Sequence, residues 1–202
     1  MHGKLFERIK FLIRADKGIK IYADYLTVNI SSPNTPGLRA LQDKAALDDL
    51  LAQVMAARTQ GTPVFLKVAP DLQPADIDDI VTVAMSRGVA ALIISNTTTA
   101  RPALASRYAG EAGGLSGAPL RDMAQQRLVD FRKASGGQIG LIGVGGIASA
   151  QDAYARIRAG ASLVQIYSAL VYQGPGLARR INKQLQKLLQ ADGFVNISDA
   201  VG

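Results

Sequence analysis

Short apolar runs rich in Val, Ile and Leu lie at 26–30, 64–68, 91–95, 141–144 and 163–167, each followed by a longer stretch with helical periodicity. The runs predict buried strands. Between them, Leu47, Leu50, Leu51, Val54 and Met55 fall on one helical face, as do Ile77, Ile80, Val81 and Ala84. Gly61, Gly88, Gly136 and Gly160 close these helices or their loops. Apolar strands alternating with amphipathic helices predict an α/β fold with a parallel sheet and right-handed crossovers.

Two architectures satisfy that pattern, an open doubly wound sheet and a (β/α) barrel of the TIM type. Nearly every polar or glycine-rich cluster sits just after a strand: Asn29 to Asn34, Lys67, Ser95 to Thr97, Gly145-Gly146 and Tyr167-Ser168. In a barrel those strand ends converge on one mouth, where barrel enzymes keep their chemistry, so the barrel is the expected architecture. A closed barrel needs eight strands in typically about 250 residues. Five runs are visible, so the expectation is an incomplete barrel of about five βα units lacking its front strands. Residues 24–202 would form the partial barrel domain, and residues 1–23 a poorly matched N-terminal segment with room for one helix.

Composition narrows the function classes. With 48% hydrophobic and 19% charged residues over 202 positions, the chain has enough apolar surface for a sizeable core. It has no cysteine, which removes disulfides, thiolate metal sites and a cysteine nucleophile. No His, Asp or Glu spacing suggests a metal site either. The net charge is +7, but the basic residues are spread out, with only Arg179, Arg180, Lys183 and Lys187 gathered together. Aromatics make up 5% of the chain, too few to interleave a basic stripe as a nucleic-acid footprint requires. A positive field also attracts phosphate and carboxylate ligands. No apolar run approaches the roughly 20 residues of a membrane span. The charged opening, 1–18, lacks the pattern of a secretory signal, so a cytoplasmic location is expected.

Candidate chemistry concentrates in 25–39, where a strand pattern runs into a loop of uncharged hydrogen-bonding residues. Pro33 and Pro36 fix φ on either side of Asn34, and Gly37 frees the turn toward the next helix. Asn29, Ser32 and Asn34 are thereby held in place to orient a polar ligand, although the same residues are ordinary turn formers. Lys67 sits inside an apolar strand, where its ammonium must meet an anion or reach water. Gly143-Val144-Gly145-Gly146-Ile147, then Ala148-Ser149-Ala150, reads as strand, glycine turn and helix start, a pattern that lets backbone amides approach a phosphate. Gln165-Ile166-Tyr167-Ser168 on the last strand is its natural partner. The stretch 96–120 has little periodicity, and a segment that long is either functional or mobile.

Taken whole, Tyr25 to Arg39 resembles the active-site loop of the dihydroorotate dehydrogenases, flavin enzymes of pyrimidine synthesis, and in particular the quinone-dependent class. The resemblance continues through Lys67-Val68-Ala69-Pro70-Asp71-Leu72, Ser95-Asn96-Thr97-Thr98, Gly113-Gly114-Leu115-Ser116-Gly117, the Gly143 to Ile147 turn and Gln165-Ile166-Tyr167-Ser168-Ala169-Leu170. It implies oxidation of dihydroorotate to orotate with hydride transfer to FMN and electrons passed to a quinone. Ser32 takes the place of the catalytic base, and Asn29, Asn34, Asn96 and Thr97 take the substrate contacts. Asn29, Lys67, Ser95, Gly117, Gly145, Gly146, Tyr167 and Ser168 take the flavin contacts. Peripheral attachment to the inner face of the membrane is expected only through the family's front region. Arg39 is read as capping or salt-bridging the helix that follows its loop; Tyr108, Tyr154 and Tyr172 match no role, and His2 is too near the end to act as a catalyst.

A five-strand arc exposes strand edges and barrel interior. The alternative is therefore an inactive truncated remnant, or a half-barrel that completes itself by oligomerising or by pairing with a complementing chain. Another flavin or nucleotide-phosphate barrel would explain the Gly145-Gly146 turn but not the loop from Asn29 to Arg39.

Overall fold

A computed structural model describes residues 23–35, 37–58 and 61–202. The segment 1–23 expected to stand apart lies outside these residues except for Ala23, as does His2. Five strands form one parallel sheet: β1 (Leu26–Asn29), β2 (Val64–Val68), β3 (Ala91–Ile94), β4 (Gly140–Val144) and β5 (Leu163–Gln165). They are hydrogen-bonded in simple sequence order. The helices are α1 (Lys44–Ala57), α2 (Pro74–Ser86), α3 (Arg121–Ser135), α4 (Ala150–Arg158), α5 (Ser168–Gln173) and α6 (Leu177–Ala191), with 3-10 turns at Leu38–Gln42, Ala118–Leu120 and Ile197–Ala200.

Strand order decides between the two architectures. In a doubly wound sheet the order reverses and helices cover both faces; strands added always on the same side, by right-handed crossovers, keep their helices on one face. The register shows the result. Val28, Leu66, Leu92 and Leu141 are successive cross-strand partners, and all pack against α1, α2 and α3 in the main core. The opposite face carries Phe65, Ala91, Ile93, Ile142 and Val144 as a separate small apolar cluster. This is the curvature of a barrel wall, with helices outside and a filled interior. Full burial on both faces was the expectation, and it fails at the two ends of the arc. Thr27 is exposed on β1, and Leu163 on β5 is 60% exposed.

Local signals explain where the helices begin. The Asp43 side chain accepts the amides of Ala45 and Ala46 at the start of α1. Pro74 opens α2 inside a capping box in which Asp76 accepts the Gln73 amide at 2.8 Å. Ser149 caps α4 by accepting the Asp152 amide, while the Asp152 carboxylate accepts the Ala148 amide and the Ser149 hydroxyl. Helix α6 buries Leu177, Ile181 and Leu185 against α4 and leaves the gathered basic residues Arg179, Arg180, Lys183 and Lys187 on its solvated face.

Leu66 is fully buried at the centre of the helix-side layer. Replacing it with Ala should cost about 2–5 kcal/mol, read as a lower urea midpoint at unchanged slope. A loss below about 1 kcal/mol would mean that this layer is not the tightly packed spine of the sheet.

Candidate active site

Asn29, Lys67, Ile93 and Ile142 are successive cross-strand partners along the inner face. The first two are polar because they lie at the carboxyl ends of their strands, where the interior opens. A cleft of about 390 Å³ lies over these ends. It brings together most of the residues the sequence nominated: Lys67, Ser95, Asn96, Thr97, Gly117, Gly145, Gly146, Tyr167 and Ser168. Gln165, named in the sequence as part of the partner of the glycine turn, lines it too, whereas sequence reasoning gave no site role to Ser116, Tyr172 or Gln173.

Among the described residues, no carboxylate lines the cleft and Lys67 is its single cation. Burial pulls the Lys67 pKa below its usual value, and none of the ion pairs among the described residues involves it. A half-buried ammonium facing a carboxylate-free cavity favours an anionic or electron-rich ligand.

The glycine turn after β4 is shaped for close approach. Gly145 has φ +113 and Gly146 φ +70, values that disfavour any side chain. A Cβ on Gly146 would lie 2.7 Å from the Arg121 backbone, and one on Gly145 would lie 2.9 Å from Ala124. The amides of Gly145 and Gly146 find no acceptor among the described residues. Across the cleft, the Ser116 and Ser168 hydroxyls are 3.0 Å apart, tying the loop before Gly117 to the start of α5.

Asn29, Ser32 and Asn34 do not line this cleft; they stand beside it, and a buried residue missed by the sequence reading makes the connection. The Ser31 hydroxyl donates to Asn29 Oδ1 at 2.9 Å and accepts from Asn96 Nδ2 at 3.1 Å. Asn29 Oδ1 also receives the Ser31 amide and Asn96 Nδ2, both at 3.3 Å. Because a backbone amide only donates, the Asn29 oxygen is fixed toward Ser31 and its NH₂ is left for a ligand. Asn96 is more fully used, since its Oδ1 accepts the Thr97 amide at 2.8 Å. Ser32 Oγ accepts the Asn34 amide at 3.3 Å, the turn-forming bond that a Ser-Pro-Asn sequence suggests. Asn34 is exposed, with its Oδ1 close over Gly113.

Arg39 corrects its sequence reading. It does not serve the following helix; it clamps the loops after three strands. Its Nε donates to Ser31 O at 3.1 Å, its Nη2 to Thr97 O at 2.9 Å, and its Nη1 pairs with Asp71 at 2.8 Å. Asp71 also accepts the Thr98 hydroxyl and the Thr99 amide. The long segment after β3 is thus anchored at its root, and an antiparallel bridge between Thr98 and Leu115 closes its neck. Gly114 presses on Thr97 and Pro33, where a Cβ would clash.

Burial alone would raise the Asp71 pKa, but the bonds from Thr98, Thr99 and Arg39 outweigh it and hold the carboxyl below 3.8. A depressed folded-state value contributes stability above the unfolded pKa, and that stability disappears as pH falls through the folded value. Asp71→Asn should therefore lower stability at pH 7 by about 1 kcal/mol, and the difference should vanish well below pH 3.8. Urea midpoints of both proteins across pH test this; a gap independent of pH would remove Asp71 ionisation from the clamp.

A one-sided arc of parallel strands, with a glycine-lined cleft holding a lysine at their carboxyl ends, defines a protein of the (β/α)-barrel class. Comparison with known proteins narrows the class. A sequence model of the family described as dihydroorotate dehydrogenase matches residues 10–189, and the chain belongs to that family. It is 64% identical over 198 residues to the dihydroorotate dehydrogenase (quinone) of Sphingopyxis alaskensis, covering 97% of this chain and 56% of that protein. To the enzyme of the same name from Novosphingobium aromaticivorans it is 66% identical over 181 residues, 89% of this chain and 52% of the relative. Among solved structures, the Eimeria tenella dihydroorotate dehydrogenase in complex with ferulenol superposes with a TM-score of 0.90 at 37% identity, over 96% of this chain and 57% of that one. The chain thus spans about half the length of the relatives it matches. No helix among the described residues is long and apolar enough to cross a membrane.

Proposed function

We propose that residues 24–202 form the flavin- and substrate-binding part of a quinone-type dihydroorotate dehydrogenase, oxidising dihydroorotate to orotate in pyrimidine synthesis with quinone as final acceptor. The observation that carries this reading is the cleft itself: one cation, no carboxylate, and a glycine turn with free amides, in a chain of this family. These features fit FMN. The Gly145-Gly146 turn and the α4 amino end suit its phosphate, with Ser168 and Tyr167 opposite, and Lys67 suits the electron-rich ring. Bound FMN supplies the two-electron acceptor for hydride.

The chain's own residues supply the rest. The free NH₂ of Asn29, with Asn34 and Thr97, orients a ring bearing carbonyl and carboxylate oxygens. Asn96 and Ser31 hold Asn29 in register. Ser32 Oγ takes the substrate proton as its own hydroxyl proton passes to water, and the Asn34 amide bonded to that oxygen favours its more negative form. Arg39 and Asp71 keep the base loop and the Thr97 loop in fixed relation, and the turn at Gly113-Gly114 covers them from water. In the cell, attachment to the inner membrane face would bring quinone to the site.

The test is direct. Purified protein titrated with FMN should turn yellow and quench flavin fluorescence, and dihydroorotate without oxygen should bleach it. Bound flavin that dihydroorotate leaves oxidised would defeat the activity.

A second reading rests on the ends of the arc. Among the described residues, strands β1 and β5 each pair on one side only, and Tyr25 and Leu163 lie open on or beside the inner face. On this reading the chain is a half-barrel that needs a complementing chain or a second copy before it binds flavin. Colourless protein that becomes yellow only as an oligomer, or only with a complementing chain, would favour it.

A further inference from the structure

Arg156 is the one charged residue among the described residues that is buried, with 2% of its surface exposed. Among the described residues it forms no ion pair, and its Nε has no hydrogen-bond partner. Its stem lies along Gly143, where a Cβ would come within 3.1–3.3 Å of it. At the tip, Nη2 donates to Gly145 O at 2.8 Å and to Arg121 O at 2.7 Å, while Nη1 donates to Gln125 Oε1. Burial draws its pKa down to about 10, so it stays charged at neutral pH. The neighbouring Asp152 carboxylate is committed to Ala148, Ser149 and Arg121.

A buried guanidinium without a direct ion pair is costly, even with Asp152 and Asp122 acting on it at longer range. Its position explains what it does. Each trans peptide unit points its C=O and its N–H in opposite directions. Drawing the Gly145 oxygen onto Arg156, behind the cleft wall, turns the Gly146 amide the other way. Arg121 does the same to the next unit, since its Nε donates to Gly146 O at 3.2 Å, and so turns the Ile147 amide. Gly145, Gly146 and Ile147 all line the cleft, whereas Arg156 does not. Charged donors on the carbonyl side also polarise each peptide and strengthen its N–H.

We propose that Arg156, assisted by Arg121, is a positioning residue that makes this cleft select phosphorylated over unphosphorylated ligands without touching them. It aims the amides of the glycine turn and sets a positive charge behind them, which Asp152 and Asp122 offset in part without pairing with it and which favours an anion on the other side of the turn. This deepens the flavin reading above and rests on it for the identity of the ligand. Loose packing and lost anion recognition differ in one observable, the ratio of affinities for FMN and riboflavin, which share the ring and differ in the phosphate.

The wild-type chain and its R156Q, R156K and R121Q variants are titrated with FMN and with riboflavin by flavin fluorescence. Their melting temperatures are also compared with and without inorganic phosphate at fixed ionic strength. R156Q should weaken FMN about tenfold or more and leave riboflavin within about twofold. R156K, which keeps the charge, should retain most of the preference, and R121Q should lose part of it. The stabilisation by phosphate seen in the wild type should disappear in R156Q. Equal weakening of both flavins, or a phosphate effect that survives R156Q, overturns the proposal. Should R156Q fail to fold, R121Q decides from a half-exposed position, and an unchanged flavin ratio there overturns it. A wild type stabilised by phosphate yet indifferent to FMN defeats the flavin reading alone, and Arg156 is then judged by the phosphate effect. A wild type that responds to neither overturns both.

Discussion

If the proposed flavin site is right, Gly146→Val should leave the chain folded and weaken FMN binding severely. Gly146 sits at φ +70, where a β-branched residue is strongly disfavoured, and its Cβ would fall 2.7 Å from the Arg121 Cα and 2.9 Å from the Arg121 nitrogen. Those are backbone atoms at the start of α3, so no side-chain rotation relieves the clash. The turn itself must move, taking the Gly146 and Ile147 amides with it. The strain is worth about 1–3 kcal/mol, and several misaimed hydrogen bonds add to it. Together they correspond to a loss of about a hundredfold or more in FMN affinity. Fluorescence titration measures that loss, and circular dichroism with a urea midpoint shows that the sheet survives. A Val variant with wild-type affinity would show that the phosphate does not sit on this turn.

Ser32→Ala separates binding from chemistry. Reduction of bound flavin by dihydroorotate should slow by about 10²–10⁴-fold, the usual contribution of a positioned general base, with FMN affinity unchanged because Ser32 lies outside the cleft lining. Anaerobic rapid mixing gives both quantities. The hydroxyl also accepts the Asn34 amide, so its loss loosens the turn by about 1 kcal/mol, too little to account for such a rate. Reduction at the wild-type rate would remove Ser32 from proton transfer and leave it a turn former.

Ser32 shows why some of the site was hard to read from the sequence. Its observed bond is the one any Ser-Pro-Asn turn makes, so the residues alone support the structural and the catalytic reading equally; only likeness to a family separates them. Lys67 was easier, because an ammonium in an apolar strand demands an explanation wherever it occurs. The glycine turn was legible too, since adjacent glycines between a strand and a capped helix have few uses. Ser31 was invisible, one small polar residue among several, and its role depends on Asn96, 65 positions away.

Arg39 and Arg156 mark the same boundary more sharply. Nothing near Arg39 in the sequence announces Asp71 or the Thr97 carbonyl, and nothing near Arg156 announces the Gly145 carbonyl. Arginine is usually a surface residue, so Arg39 was read as serving a helix end and Arg156 drew no reading at all. Both form their contacts across crossovers of the sheet, in which the intervening chain carries no signal of where it returns.

The order of apolar runs, the helical faces between them and the placement of polar clusters after strands belong to the sequence alone, because period and propensity are local properties of the chain. The side on which each crossover returns, the burial of Arg156 beneath a glycine turn, and the Arg39–Asp71 clamp were decided by tertiary structure. Direction and partnership between distant residues exist only once the sheet has brought them together.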